Sequence, residues 1–324
     1  MRITVNPVLR RELVERMRGR RSFVVLTIYL GVLAGILYLV YQTNRASSSS
    51  SFGAPVATQV ASVGRGIFEW LLFFMLLLVL FLVPGQTSGA IAGERERQTL
   101  VPLQITLLRP VSLLVGKIGA SLAFLLLLIV ATVPLLSVSY LIGGVSISQV
   151  LSGVAMVAFT GVVVASVTAC ISAFCRRVQA ATVLAYGVVI ALTIGTLLLW
   201  AAAGLVDRSR GGDGDNPPEW ILYANPFVAV ADVVGSDNDS LGTTSSPFDP
   251  IHDMLRADDE TEIVDDFGGP VPVGDVVVER NGNPFLPDGG DEFWHVSGLM
   301  LSGLAALSVA LGARRLRTPA ASER

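Results

Sequence analysis

Charged side chains are scarce in this chain of 324 residues: 15% are charged, against 52% apolar. Lysine occurs once, at Lys117, beside 22 arginines, and histidine only at His252 and His295. Two isolated histidines do not make a zinc site, whose ligands come in closely spaced sets. Asp237-x-Asp239 with Gly242 resembles a calcium loop, but Leu241 and Phe248 stand where oxygen ligands belong, so no metal is expected. The two cysteines, Cys170 and Cys175, close one apolar run and read as small, buried, reduced thiols. A phosphate-cradling G-x-x-x-x-G-K-[ST] loop is missing, since Gly116–Lys117–Ile118 lacks both the first glycine and the hydroxyl. Nucleotide hydrolysis by this chain is therefore not expected, and Lys117 reads as a lysine snorkelling from a membrane edge. Within the long apolar runs the only acidic residue is Glu69, one turn from an end, where a helix N-terminus and water would both stabilise it. Proton relays keep ionisable residues at mid-bilayer although each costs ~2.5–3.5 kcal/mol. Their absence argues against an ion-coupled carrier. With no polar catalytic set inside the runs, an intramembrane enzyme is the weakest reading, and no catalytic residue is assigned.

What charge there is lies segregated. Residues 205–292 hold 20 of the 26 Asp and Glu against four Arg, whereas the other 236 residues carry 19 basic and six acidic side chains. Crossing ~30 Å of hydrocarbon takes about 20 apolar residues at ~1.5 Å each. Six runs qualify: 22–42, 66–92, 112–141, 148–174, 180–204 and 293–313. Their flanks alternate. Arg10, Arg11, Arg16, Arg18, Arg20 and Arg21 precede the first run, and Arg95, Arg97, Arg109 and Lys117 lie between the second and third. Arg176 and Arg177 separate the fourth and fifth, and Arg314, Arg315 and Arg317 follow the sixth. Loops on the other side are serine-rich, short or acidic. Basic residues mark the cytoplasmic face, which predicts an all-α membrane protein with six spans and both termini cytoplasmic. The first run is too long for a signal peptide, and no A-x-A-like site follows it.

Asn6 and Pro7 read as an N-cap and first helical residue. Leu9, Leu13 and Met17 then fall on one apolar face, predicting an amphipathic interfacial helix over 6–18 ahead of the membrane domain that ends at 204. Pro84 and Pro134 should kink the second and third spans. Small residues at four-residue spacing, Gly161/Ala165/Ala169, Gly187/Ala191/Gly195 and Gly298/Ser302/Ala306, suggest close helix packing. Residues 205–292 form a largely irregular acidic outer loop domain, followed by the sixth span and a basic tail over 293–324. Trp220 to Val234 is its one apolar stretch, too short to cross and broken at Asn225–Pro226; with Phe227 it suits a re-entrant or interfacial piece capping the bundle. Val273 to Glu279 with Asn281–Gly282 hints at a short hairpin, and 236–290 shows little able to build a core.

The segment joining spans two and three, residues 92–120, reads AGERERQTLVPLQITLLRPVSLLVGKIGA. Glu94, Arg95, Glu96, Arg97, Thr99 and Leu100 mix both charge signs just past the membrane, a short helix able to wedge into a polar groove of a soluble partner. This segment resembles the loop of type-2 ABC transporter permeases, the membrane subunits of ATP-driven exporters. Those proteins show an E-R-E-x-G-T-L-like stretch, then a P-[LV]-S turn, then G-K. Here Glu94, Arg95, Glu96, Thr99 and Leu100 match, followed by Pro110–Val111–Ser112 and Gly116–Lys117. The helix after Asn6–Pro7, the six-span order and Asn225-Pro226-Phe227 after span five extend the likeness, which leaves out about 235–292. Gln98 stands where Gly is usual, and Val101 and Pro102 depart as well.

The resemblance implies a non-enzymatic permease subunit in a bacterial or archaeal plasma membrane. Residues 94–100 would be the coupling helix that receives the motion of a separate ATP-binding subunit. It implies a homodimer or a heterodimer with a second permease, ATP and Mg held by the partner, and export of an unidentified substrate; apolar walls would suit an amphiphile. No nucleic acid is expected as a partner. The alternative is a non-transporting anchor or mechanical signalling subunit whose acidic outer domain recruits a surface partner.

Overall fold

A computed structural model describes residues 20–47, 56–98, 110–209, 219–235, 246–248, 250–251 and 293–316. The predicted interfacial helix (6–18, with Leu9, Leu13 and Met17), Thr99, Leu100, the predicted hairpin and most of the acidic segment lie outside them. The described residues are helical almost throughout and contain no strand. In hydrocarbon every backbone N–H and C=O needs a partner, and a helix supplies them within one segment.

The elements run α1 (Arg20–Ser47), α2 (Val56–Thr87), α3 (Gly89–Glu96), α4 (Pro110–Ile142), α5 (Ile147–Phe174) and α6 (Val178–Ile190). A π turn (Ala191–Gly195) joins α6 to α7 (Thr196–Ser209). A 3-10 turn (Glu219–Ala224), α8 (Pro226–Gly235) and α9 (Phe293–Leu316) follow. Among the described residues six stretches are long and apolar enough to cross a membrane: Phe23–Thr43, Val60–Glu96, Leu114–Ile142, Ile147–Phe174, Val178–Val206 and Trp294–Leu316. They agree with the six apolar runs in number and order. The second helix begins at Val56, ten residues before the run that announced it, because Val56–Arg65 is small and mildly polar.

Helix α5 is the centre of the bundle, packed against α2, α4, α6, α8 and α9. Its most apolar stretch is 67% buried, against 11% for those of the first and fifth spans, which therefore lie at the periphery of this chain's bundle. Gly161, Ala165 and Ala169 explain the central place: a Cβ on Gly161 would collide with Leu125, and both alanines are fully buried. The other two small-residue stripes do not pack this way. Gly187 and Gly298 have nothing within 4 Å of where a Cβ would stand, and Ser302 and Ala306 face outward.

The turn from α4 to α5 is tight. Gly143 and Gly144 take φ of +106° and +82°, and Ser146 and Gln149 form a reciprocal capping box at the start of α5. Helix α2 presses into this corner: a Cβ on Gly64 would collide with the Gly143 carbonyl and one on Gly144 with that of Ala61. Ser139 Oγ donates to the Gly64 carbonyl at 2.6 Å. Glu69 proves more deeply placed than its run suggested. It is 3% exposed and accepts from Arg65 Nε at 2.8 Å, an ion pair one turn apart on the same helix rather than a water-stabilised carboxylate.

Candidate functional site

Among the described residues, the site residues singled out in the sequence fall at the two ends of the bundle. One end carries Arg95, Arg97, Lys117, Arg176, Arg177, Arg314 and Arg315 and is called basic below; the far end carries the 143–146 turn and residues 219–235.

At the basic end the second span is interrupted rather than terminated. Pro84 removes one N–H from the ladder, and the helix breaks at Ser88 before resuming as α3. Ser172 of α5 fills the break. Its hydroxyl accepts from Ile91 N and Ala92 N at 3.0 Å each and donates to Ser88 O at 2.6 Å. In an unbroken helix Ala92 N–H would bond to Ser88 O directly; the serine oxygen sits between them, so the interruption strands neither group. Ser88 Oγ in turn meets Thr182 Oγ1 of α6 at 2.8 Å.

Three of the charged residues then face the protein's own helices. Glu94 Oε1 meets Lys117 Nζ of α4 at 2.8 Å. Lys117 is 3% exposed, so it is a buried partner of Glu94 and not the snorkelling lysine its position suggested. Arg95 Nη1 donates to the Cys175 carbonyl, which ends α5, at 3.1 Å. Glu96 Oε2 accepts from Val178 N at 3.3 Å, placing a carboxylate on the first turn of α6, where the helix dipole favours it. Arg97 and Gln98 remain exposed. Gln98 takes φ of +58°, with its N–H bonded to Arg95 O at 3.1 Å, closing α3 in a left-handed C-terminal turn. Gln98 thus holds a backbone conformation that favours glycine.

At the far end Asn225, Pro226 and Phe227 begin α8. Asn225 Oδ1 accepts from Phe227 N at 2.9 Å and Pro226 is the first helical residue, a standard start for a helix. Asn225 is fully buried, as are Val228, Ala229, Val230 and Ala231. Helix α8 is wedged against α5 and α9, so this stretch packs into the helix bundle. The Phe227 ring packs on Phe73 of α2 at 5.1 Å, and Phe73 meets Phe248 edge-on at 5.9 Å. Phe248 is fully buried and Ile251 nearly so. The acidic segment therefore contributes to the core, contrary to the expectation for 236–290. Asp232 Oδ2 accepts from Trp294 N at 2.9 Å and Ser297 Oγ donates to Tyr223 O at 2.7 Å, tying α8 and the 3-10 turn to the start of α9.

A family model described as "ABC-2 family transporter protein" matches residues 26–236. The chain belongs to this family. No curated protein matches its sequence significantly. The matched region runs from α1 to the end of α8 and so takes in both constellations, the α3 segment and Asn225-Pro226-Phe227. Family membership makes the chain a multi-pass transport permease, a non-catalytic membrane subunit, and implies an ABC ATP-binding subunit as its partner. Among the described residues no three His, Cys, Asp or Glu side chains gather as metal ligands would.

Several residues of these two sites escaped the sequence reading. Ser172 and Thr182 are ordinary small polar residues in apolar helices, and only their positions in space reveal what they bind. A lone Phe248 in an acidic stretch carried no periodicity. Lys117 offered the one usable signal, as the single lysine of the permease and part of the G-K pair.

Proposed function

We propose that this ABC-2 permease couples ATP hydrolysis on a separate ATP-binding subunit to export of an amphiphilic substrate. The observation that carries the reading is the wiring of α3. Contacts from residues 88–96 run to α4 through Glu94–Lys117, to α5 through Ser172 and Arg95–Cys175, and to α6 through Glu96–Val178 and Ser88–Thr182. Arg97 and Gln98 stand exposed just beyond. A push on that exposed tip reaches three spans at once. The basic residues support a cytoplasmic position for this end, where a soluble ATPase works. Closure of two ATP-binding subunits on ATP and Mg would then drive α3 and shift the bundle between conformations, a rigid-body change powered elsewhere. Two permease subunits, identical or different, would flank the pathway. No observation favours the anchor reading.

Inside-out vesicles holding the permease and its ATP-binding subunit test this, with a rhodamine-labelled amphiphile as probe. ATP should drive dye into the lumen, and a cysteine at Ser240 should react with an impermeant thiol reagent only on right-side-out cells. Dye efflux on adding ATP, or labelling at Ser240 from the opposite side, would contradict export by this topology.

A further inference from the structure

The fifth span consists of two pieces held to different neighbours. Its first half, α6, is fastened to the basic end: Val178 N–H reaches Glu96, Thr182 meets Ser88, and Tyr186 Oη donates to the Phe81 carbonyl at 2.9 Å. Its second half, α7, packs against the 3-10 turn Glu219–Ala224 at the far end. Between them lies the π turn Ala191–Gly195, where Thr196 N–H bonds back five residues to Ala191 O. Such turns are rare, carry a weaker ladder than the α-helix, and concentrate at functional sites.

Asn225 fastens this turn. Its Nδ2 donates to Thr193 O and to Thr196 Oγ1, each at 2.9 Å, while its Oδ1 caps α8. One buried side chain thus joins the π turn to a helix wedged in the bundle. The threonine hydroxyls also serve the local ladder: Thr193 Oγ1 donates to Val189 O and Thr196 Oγ1 reaches Leu192 O, both at 2.9 Å. Side-chain partners of this kind let a backbone change its pairing inside lipid without stranding polar groups. With only 11% of the most apolar stretch of the fifth span buried, few apolar contacts within the chain oppose its movement.

We propose that Ala191–Gly195 is a hinge within the fifth span, on which α6 swings with the 88–96 segment, and that Asn225 is the latch holding the turn to α8. The device divides the span into a half that follows the basic end and a half that stays with the far end. It requires neither a known cargo nor a known direction of transport.

The full-length permease in lipid nanodiscs, without any ATP-binding subunit, suffices to test it, so the outcome stands apart from the exporter reading. Asn225→Ser keeps an N-cap acceptor for α8 but is too short to reach Thr193. Loss of two intramembrane hydrogen bonds should speed amide exchange over residues 191–200 roughly tenfold. Exchange over 226–235 should stay unchanged, and the distance distribution between spin labels at Ala180 and Ala202 should broaden. Thr196→Val, which removes one of the two acceptors at nearly constant volume, should give a smaller change of the same kind. Unchanged exchange over 191–200 with an unbroadened distance would overturn the proposal. So would equal loss of protection over 191–200 and 226–235, which would make Asn225 merely the cap of α8. Should Asn225→Ser fail to fold, Thr196→Val decides alone, and unchanged protection there overturns the latch.

Discussion

Glu94 Oε1 and Lys117 Nζ meet at 2.8 Å, joining the two ends of the segment that links the second and third spans. Their side chains are 25% and 4% exposed, so water screens the pair only partly. The two residues are the first acidic residue of the E-R-E stretch and the lysine of G-K. Their pairing gives these separate parts of the sequence pattern one physical role, tying α3 to α4.

Removing one partner should therefore cost more than removing both. Lys117→Met deletes a buried cation and leaves Glu94 partly wetted, whereas Glu94→Gln leaves Lys117 buried opposite a neutral amide. Glu94→Gln alone should lose about 1–3 kcal/mol, discounted from the fully buried case for the exposure of Glu94. The double variant should recover a substantial part of the loss. Thermal unfolding of the purified permease in detergent measures this, and strictly additive losses would show that the pair is not coupled.

Gln98 offers an opposite test, since its φ of +58° is a conformation only Gly adopts without cost. Gln98→Gly should stabilise the end of α3 by about 0.5–1 kcal/mol, and Gln98→Val should destabilise it, because a β-branched residue tolerates the left-handed region poorly. Limited proteolysis of the 97–109 segment provides the readout, with the Gly variant cut more slowly than the parent and the Val variant faster.

The six spans were legible because apolar length and arginine placement are local properties, readable without knowing what touches what. The helix α8 was legible for the same reason, as a short apolar stretch broken by Asn225–Pro226. What a residue faces was not legible. Lys117 looked like a lysine reaching for water because its partner lies on another helix, and Glu69 looked wet because α2 begins ten residues earlier than its apolar run. The π turn leaves no mark in hydropathy at all. Of the three small-residue stripes, spacing alone could not tell the packed one on α5 from those facing outward.

Glycine substitutions should sort by contact rather than by spacing. Gly64→Ala places a methyl group against the Gly143 carbonyl and must push α2 away from the α4–α5 turn, also disturbing the Ser139 bond to Gly64 O. A loss of about 2–3 kcal/mol is expected for such overpacking. Gly298→Ala and Gly35→Ala meet nothing within 4 Å and should be neutral or slightly stabilising. Melting temperatures of the three variants check the ranking.

Phe248 divides the acidic segment by importance. Replacing 252–290 with a Gly/Ser linker should leave thermal stability near that of the parent, whereas extending the replacement to 236–290 strips Phe248 and Ile251 from the core. Phe248→Ala alone should cost about 3 kcal/mol, the lower end for a buried aromatic, because one flank is loop that can resettle. Equal stability of the two linker variants would remove Phe248 from the core.

The central claim is that the exposed tip of α3 is where the ATP-binding subunit seats. Photocrosslinking from an unnatural amino acid at Gln98, in cells expressing both proteins, tests it directly, with the same crosslinker at Ser240 for comparison. Capture of the ATP-binding subunit from Gln98 and not from Ser240 is the predicted result. Failure of Gln98 to capture it, together with capture of a surface protein from Ser240, would contradict the coupling account and place the function in the acidic segment.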